Sequence, residues 1–150
     1  MTTTEHMFEV NVGDILWKKA IVGYYAVSCD CSPGCLSQCS VPECAIIKLR
    51  VTKPGFCAQY DYEISRLNVD MKCRVREAKV LSIESMKTGQ LVREAFSVYN
   101  NEFKYRVGSI VYPTVDGVRV AFDEANFACA PGIHGFTTRE QAEKYPLIWL

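Results

Sequence analysis

Five cysteines fall within sixteen residues in the pattern Cys29-x-Cys31-x3-Cys35-x3-Cys39-x4-Cys44, interrupted by Pro33-Gly34 and Pro42. Thiolates at close spacing around turns suit tetrahedral Zn²⁺, whose sulfur ligands converge to about 2.3 Å from the ion. A segment this polar and turn-rich buries little apolar surface of its own, so something else must hold it. No Cys-x2-Cys knuckle is present. Zinc on Cys29, Cys31, Cys35, Cys39 and Cys44, disulfide bonds among them, and unlinked thiols in an ordered loop therefore all stay open. Zinc is the one cofactor the pattern suggests.

A second chemical pairing is Cys129-x4-His134 around Pro131-Gly132. A thiol becomes a nucleophile when a base sits beside it, and a Pro-Gly turn is one way to bring the two together. The competing reading is a turn whose cysteine is buried and whose histidine bonds backbone. A cysteine enzyme also needs an orienting Asn or Asp and a set of oxyanion donors, and the sequence identifies neither. The structural reading is preferred, and no catalytic residue is assigned. His6 lies in an N-terminal stretch expected to fray. Cys57 and Cys73 lie in strand-like surroundings and read as small buried hydrophobes.

Lys72, Arg74 and Arg76 alternate along one strand face. Without interleaved aromatics or a second basic cluster they read as a solvated face rather than a nucleic-acid groove. Net charge is zero, with 17 basic and 17 acidic residues, which gives no general attraction to nucleic acid or anionic membrane. Near neutrality also offers little protection against self-association. The apolar run Pro146-Leu147-Ile148-Trp149-Leu150 either tucks onto its own core or docks into a partner, making Leu147, Ile148, Trp149 and Leu150 candidate partner-binding residues. No phosphate-binding loop, dinucleotide fingerprint or metalloprotease motif occurs.

The elements that must position these groups are mostly strands. Alternating or β-branched runs occur at Phe8 to Val12, Cys44 to Val51, Lys72 to Arg76 and Ala78 to Ile83, then Ala95 to Tyr99, Phe103 to Val107, Ser109 to Tyr112 and Val118 to Phe122. Asn100-Asn101 and Asp116-Gly117 suit tight hairpin turns, and Pro113 marks a strand end. Thr137-x-x-Glu140 and Thr138-x-x-Gln141 both fit a capping box for a helix running to about Tyr145. A weaker helix or turn is expected at Tyr60 to Leu67, and Ser28 to Glu43 reads as a loop inserted between strands. Val12-Gly-Asp-Ile-Leu-Trp17 aligns with Val107-Gly-Ser-Ile-Val-Tyr112, a hint of internal likeness too short to imply a repeat architecture. The reading is one α+β domain over residues 1–150, with a mostly antiparallel sheet, one short C-terminal helix and a cysteine-rich loop. The N-terminus lacks a basic region followed by an apolar stretch, and no apolar run approaches the roughly 20 residues that span a bilayer. An intracellular, reducing setting without membrane insertion is expected.

The Lys72-Cys-Arg-Val-Arg-Glu-Ala-Lys79 strand, Tyr105-Arg-Val-Gly108, and Cys129-Ala-Pro-Gly-Ile-His-Gly-Phe136 before Arg139-Glu-x-Ala142 resemble a domain family of unknown function. That family occurs in large double-stranded DNA viruses, phages and some bacteria, and the resemblance spans roughly residues 44 to 145. It departs at Gly135, where the family more often has an aromatic, and the Cys29 to Cys44 loop looks like a private insertion. The family has no agreed catalytic residues. The resemblance implies a viral or phage setting and a compact α+β module. Neutral charge, missing catalytic sets, the apolar C-terminus and the cysteine loop add the expectation of a non-enzymatic structural or protein-interaction protein of a large DNA virus, such as a minor virion or capsid component, in the host cytoplasm or the virion. Its partners would be capsid or other virion proteins. A zinc-stabilised module binding a host or viral protein is the alternative, and a Cys129/His134 enzyme the second alternative.

Overall fold

In a computed structural model, residues 4–28, 38–61, 70–98, 103–122 and 132–145 are described. Among them, the strands in chain order are β1 (Thr4–Val10), β2 (Ile15–Ser28), β3 (Gln38–Asp61), β4 (Asp70–Ser85), β5 (Glu94–Phe96) and β6 (Lys104–Arg106). Then follow β7 (Ile110–Val111), β8 (Thr114–Val115), β9 (Val118–Arg119), β10 (Ile133–Phe136) and the single helix α1 (Arg139–Lys144). The antiparallel sheet and short C-terminal helix agree with expectation. The molecule is largely β, however, so the α+β reading gave the six-residue α1 too much weight.

Long bent strands close the sheet on itself. β3 pairs with β2 on one side and β4 on the other, β4 pairs with β10, and β10 returns to β2 through Phe136 opposite Trp17. The bending has a local cause: the β3–β4 ladder slips once between Lys48 and Leu49 and again between Val51 and Lys53. A residue inserted on one strand kinks it and increases its twist. The ring encloses Leu16, Ile47, Leu49, Val51, Val75, Val80 and Ile83, all at most 1% exposed. Burying each such side chain contributes about 1.5–3 kcal/mol.

Two glycines mark places where backbones approach closely. A Cβ on Gly55 would overlap the Arg74 carbonyl oxygen and Val75 Cα, at the bend of β3. A Cβ on Gly135 would lie 3.0 Å from Leu16 Cβ and 3.2 Å from the Trp17 carbonyl oxygen. An aromatic at position 135 would push β10 away from β2, where the ring closes.

The aligned segments at Gly13 and Gly108 form the same turn. Gly13 N donates to Val51 O and Val51 N to Asp14 O, both at 2.8 Å; Gly108 N donates to Val80 O at 2.8 Å and Val80 N to Ser109 O at 2.9 Å. Both glycines have positive φ, +98° and +88°. Val10 and Tyr105 are buried three residues before them, Leu16 and Val111 three residues after. Val51 and Val80 sit on the two strands of the central β3–β4 ribbon, so each turn docks on one of its outer edges.

Several expectations need correction. Gln38 to Glu43, read as loop, is strand, with Gln38 opposite Ser28 and Pro42 opposite Tyr24. Tyr60 and Asp61, read as the start of a helix or turn, end β3, and 62–69 lie outside the described residues. His6 belongs to β1 opposite Gln59 rather than to a frayed end. Asp116-Gly117 does form the β8–β9 turn, both residues at positive φ. Asn100-Asn101 lie outside the described residues, although β5 and β6 on either side pair antiparallel. Thr138 is the helix cap: its hydroxyl accepts from Gln141 N at 3.2 Å.

Candidate functional site

The cysteine set divides along β3. Cys39 stands opposite Val27 and Cys44 opposite Ile21, five residues apart on one extended strand. At about 3.3 Å per residue their Cα atoms are about 16 Å apart. Two cysteine ligands of one zinc ion need sulfurs about 4 Å apart and Cα atoms within about 10 Å. Cys39 and Cys44 therefore cannot ligate the same ion. Cys44 is half-buried; burial pushes its thiol up, and the nearby Lys19 charge acts in the opposite sense. Cys29, Cys31 and Cys35 lie outside the described residues. The Ser28–Gln38 pair brings the two ends of residues 29–37 to adjacent positions across the β2–β3 ladder. Among the described residues no three His, Cys, Asp or Glu side chains group as a metal site.

Cys129 lies outside the described residues. His134, expected in a turn, sits in β10 opposite Arg74 of β4. His134 thus belongs to a central strand that precedes the helix. The residues around it also correct the solvated-face reading for Arg74 and Arg76, while the Lys72 side chain lies outside what the structure describes. Arg74 is only 5% exposed. The Phe122 ring lies 4.3 Å from the Arg74 guanidinium carbon and 4.6 Å from that of Arg76. Arg76 also donates to the Pro54 carbonyl at 3.0 Å. A strand buried on one side by a neighbouring aromatic covers charge that alternation alone assigns to water.

The route to the apolar segment is firmly built. Arg139, the first residue of α1, donates to Glu84 of β4 at 2.8 Å and to Glu143 at 3.0 Å. The Arg139 hydrogen bond and charge hold the Glu84 carboxyl below its ordinary range. Arg139 and Lys48 both approach the Trp17 ring, at 5.9 and 5.5 Å. At the far end of α1, Lys19 Nζ donates to the Tyr145 carbonyl at 2.8 Å, and the Tyr145 ring packs 5.5 Å from Phe136. Leu147, Ile148, Trp149 and Leu150 lie outside the described residues.

One arrangement was not anticipated as a unit. Cys57 of β3 stands directly opposite Cys73 of β4, with both side chains buried. Each was expected to be buried; their pairing was not. Reading β3 and β4 as one hairpin, with Tyr60 opposite Asp70, would have revealed it.

Residues 14–142 match a family of unknown function, DUF5758. The chain belongs to the DUF5758 family. The match takes in everything from the Asp14 turn through Ala142 of α1, and so begins well before residue 44, where the sequence resemblance starts. It includes the whole β2–β3 hairpin and its cysteines. The apolar segment beyond Tyr145 lies outside it. No curated protein and no solved structure matches the chain.

Proposed function

We propose that this DUF5758 chain is a non-enzymatic structural or protein-interaction protein of a large DNA virus, of the minor virion or capsid kind, acting inside the host cell and in the particle. The viral setting rests on the resemblance of the Lys72–Lys79 strand and the Gly132-Ile-His134 run. The interaction role rests on one observation: Tyr145 is fastened twice, by Lys19 at its carbonyl and by Phe136 at its ring. The apolar segment Leu147 to Leu150 follows a rigidly held residue, so a partner receives it from a fixed starting point. Pre-organising the root of a docking segment reduces the entropy lost on binding. Fully burying Leu147, Ile148 and Trp149 would contribute several kcal/mol at about 25 cal/mol per Å².

Truncation after Tyr145 tests this reading. The expected result is loss of self-association, or of co-purification with virion proteins, in sedimentation and pull-down measurements, with the circular dichroism of the sheet retained. Unchanged association in a folded truncation refutes it.

A second reading, a zinc-stabilised module contacting a host or viral protein, has its own support. With Cys44 removed from the set, Cys29, Cys31, Cys35 and Cys39 remain, four cysteines close together in sequence. Four is the number a closed structural zinc site requires. Protein purified without added metal is expected to carry close to one zinc per chain, lost in Cys39→Ser and retained in Cys44→Ser. Stoichiometry near zero in the unsubstituted chain excludes the metal.

A further inference from the structure

Cys57 and Cys73 occupy the middle of a transverse row of four strands: Phe8 of β1, Cys57 of β3, Cys73 of β4 and Gly135 of β10. Directly opposed residues of antiparallel strands have Cα atoms about 4.5–5.5 Å apart. That range lies inside the roughly 4.4–6.8 Å that disulfides span. Both thiols are shut away from bulk water, at 2% and 0% exposure. They also face each other as partners, since the Cys73 thiol hydrogen-bonds to Cys57.

We propose that Cys57 and Cys73 form an oxidative modification site, a reduced dithiol that a small hydroperoxide converts to a cross-strand disulfide within the folded sheet. A hydroperoxide is the fitting class of oxidant because the site is closed to bulky disulfides, whereas hydrogen peroxide is close to water in size. The hydrogen bond makes Cys57 the sulfur favoured as thiolate and leaves the proton on Cys73. The Cys57 sulfur attacks one peroxide oxygen, the O–O bond breaks, and the departing hydroxide takes up the Cys57 proton as water. This leaves sulfenic acid on Cys57. The Cys73 sulfur then attacks Cys57 Sγ and forms the S–S bond, and the hydroxyl leaves with the Cys73 proton as a second water. In sum, two thiols are oxidised, one peroxide is reduced and two waters form. The link would close the β3–β4 hairpin and join the strand that carries β1 to the strand that carries β10.

The test is peroxide treatment of the full folded chain, followed by denaturation, alkylation and peptide mapping. Expected is a joined pair of peptides containing Cys57 and Cys73, two hydrogens lighter than their sum and separated by dithiothreitol. The treated protein should also show a higher urea midpoint than the reduced one, a gain absent from Cys57→Ala and Cys73→Ala. Because the mapping uses the unsubstituted chain, it holds even if a variant folds poorly. Two results overturn the proposal: Cys57 and Cys73 recovered as separate alkylated thiols or separate sulfinic acids, or a link that forms only when peroxide is added in urea.

Discussion

Strand β3 brings one cysteine to a partner and keeps two others apart. Cys57 and Cys73 are sixteen positions apart in sequence yet directly opposite across a ladder. Cys39 and Cys44 are five apart in sequence, and an extended strand holds them at about 16 Å. Sequence proximity is a guide to convergence where the chain turns. Along a strand it is a measure of separation, and the cross-strand register decides which thiols meet.

The largest expected effect comes from removing the bend that sets this register. In Gly55→Ala the added methyl would strike the Arg74 carbonyl oxygen and Val75 Cα, both backbone atoms that cannot turn aside. We expect a loss of at least about 3 kcal/mol in urea unfolding, because over-packing against main chain must move a strand. The same substitution should displace Cys57 from Cys73 and abolish their peroxide-induced link. Near wild-type stability with the link intact would show that the register does not depend on the Gly55 approach.

A smaller effect separates the two classes of cysteine directly. Cys73→Ala empties space in a fully buried site and removes the hydrogen bond to Cys57, for an expected loss of about 1–2 kcal/mol. Cys44→Ala, at a half-buried position, should lose about half of that or less. Denaturation curves of the two variants would rank them. Equal losses would mean that Cys44 contributes to packing as much as Cys73 does, and the distinction drawn along β3 would collapse.

Which parts of this were legible in the sequence follows from the same physics. The core of the β3–β4 ribbon was readable because Ile46, Ile47, Leu49 and Val51, like Val75, Val80 and Ile83, combine β-branching or bulk with short alternation. The helix cap was readable because Thr138 and Gln141 stand at a spacing with one strong structural meaning. The likeness of the Gly13 and Gly108 turns was also visible, since both need a glycine at positive φ. The extent of β3 was not. Pro42 argues against strand, but among the described residues β3 has only β2 beside it there, and a missing N–H is tolerated at an edge. β10 was hidden for a related reason. Ile133-His-Gly-Phe136 looks like the exit of a Pro-Gly turn, and its glycine weakens a strand pattern, yet that glycine is what lets β10 reach β2. The burial of Arg74 was equally opaque, because Phe122, which covers it, lies 48 positions away. Of the candidate sites, the sequence could nominate thiols but not sort them, since sorting requires the register.

The smallest effect concerns Cys44 alone and would refine the contrast. Burial raises its thiol pKa, while the Lys19 ammonium, two positions from Cys44's partner Ile21 on β2, favours the thiolate. Lys19→Met removes that charge at little change in side-chain length. The rate of Cys44 alkylation, followed by peptide mapping against pH, should then have its midpoint at higher pH and be slower at neutral pH. Lys19 also holds the Tyr145 carbonyl, so the substitution loosens the end of α1 as well. Loosening would expose Cys44 and quicken alkylation at every pH without moving the midpoint upward. The two consequences therefore have opposite signatures. An upward midpoint identifies Cys44 as a thiol whose burial is partly offset by a neighbouring charge, in contrast to Cys57, whose protonation is governed by the facing thiol of Cys73.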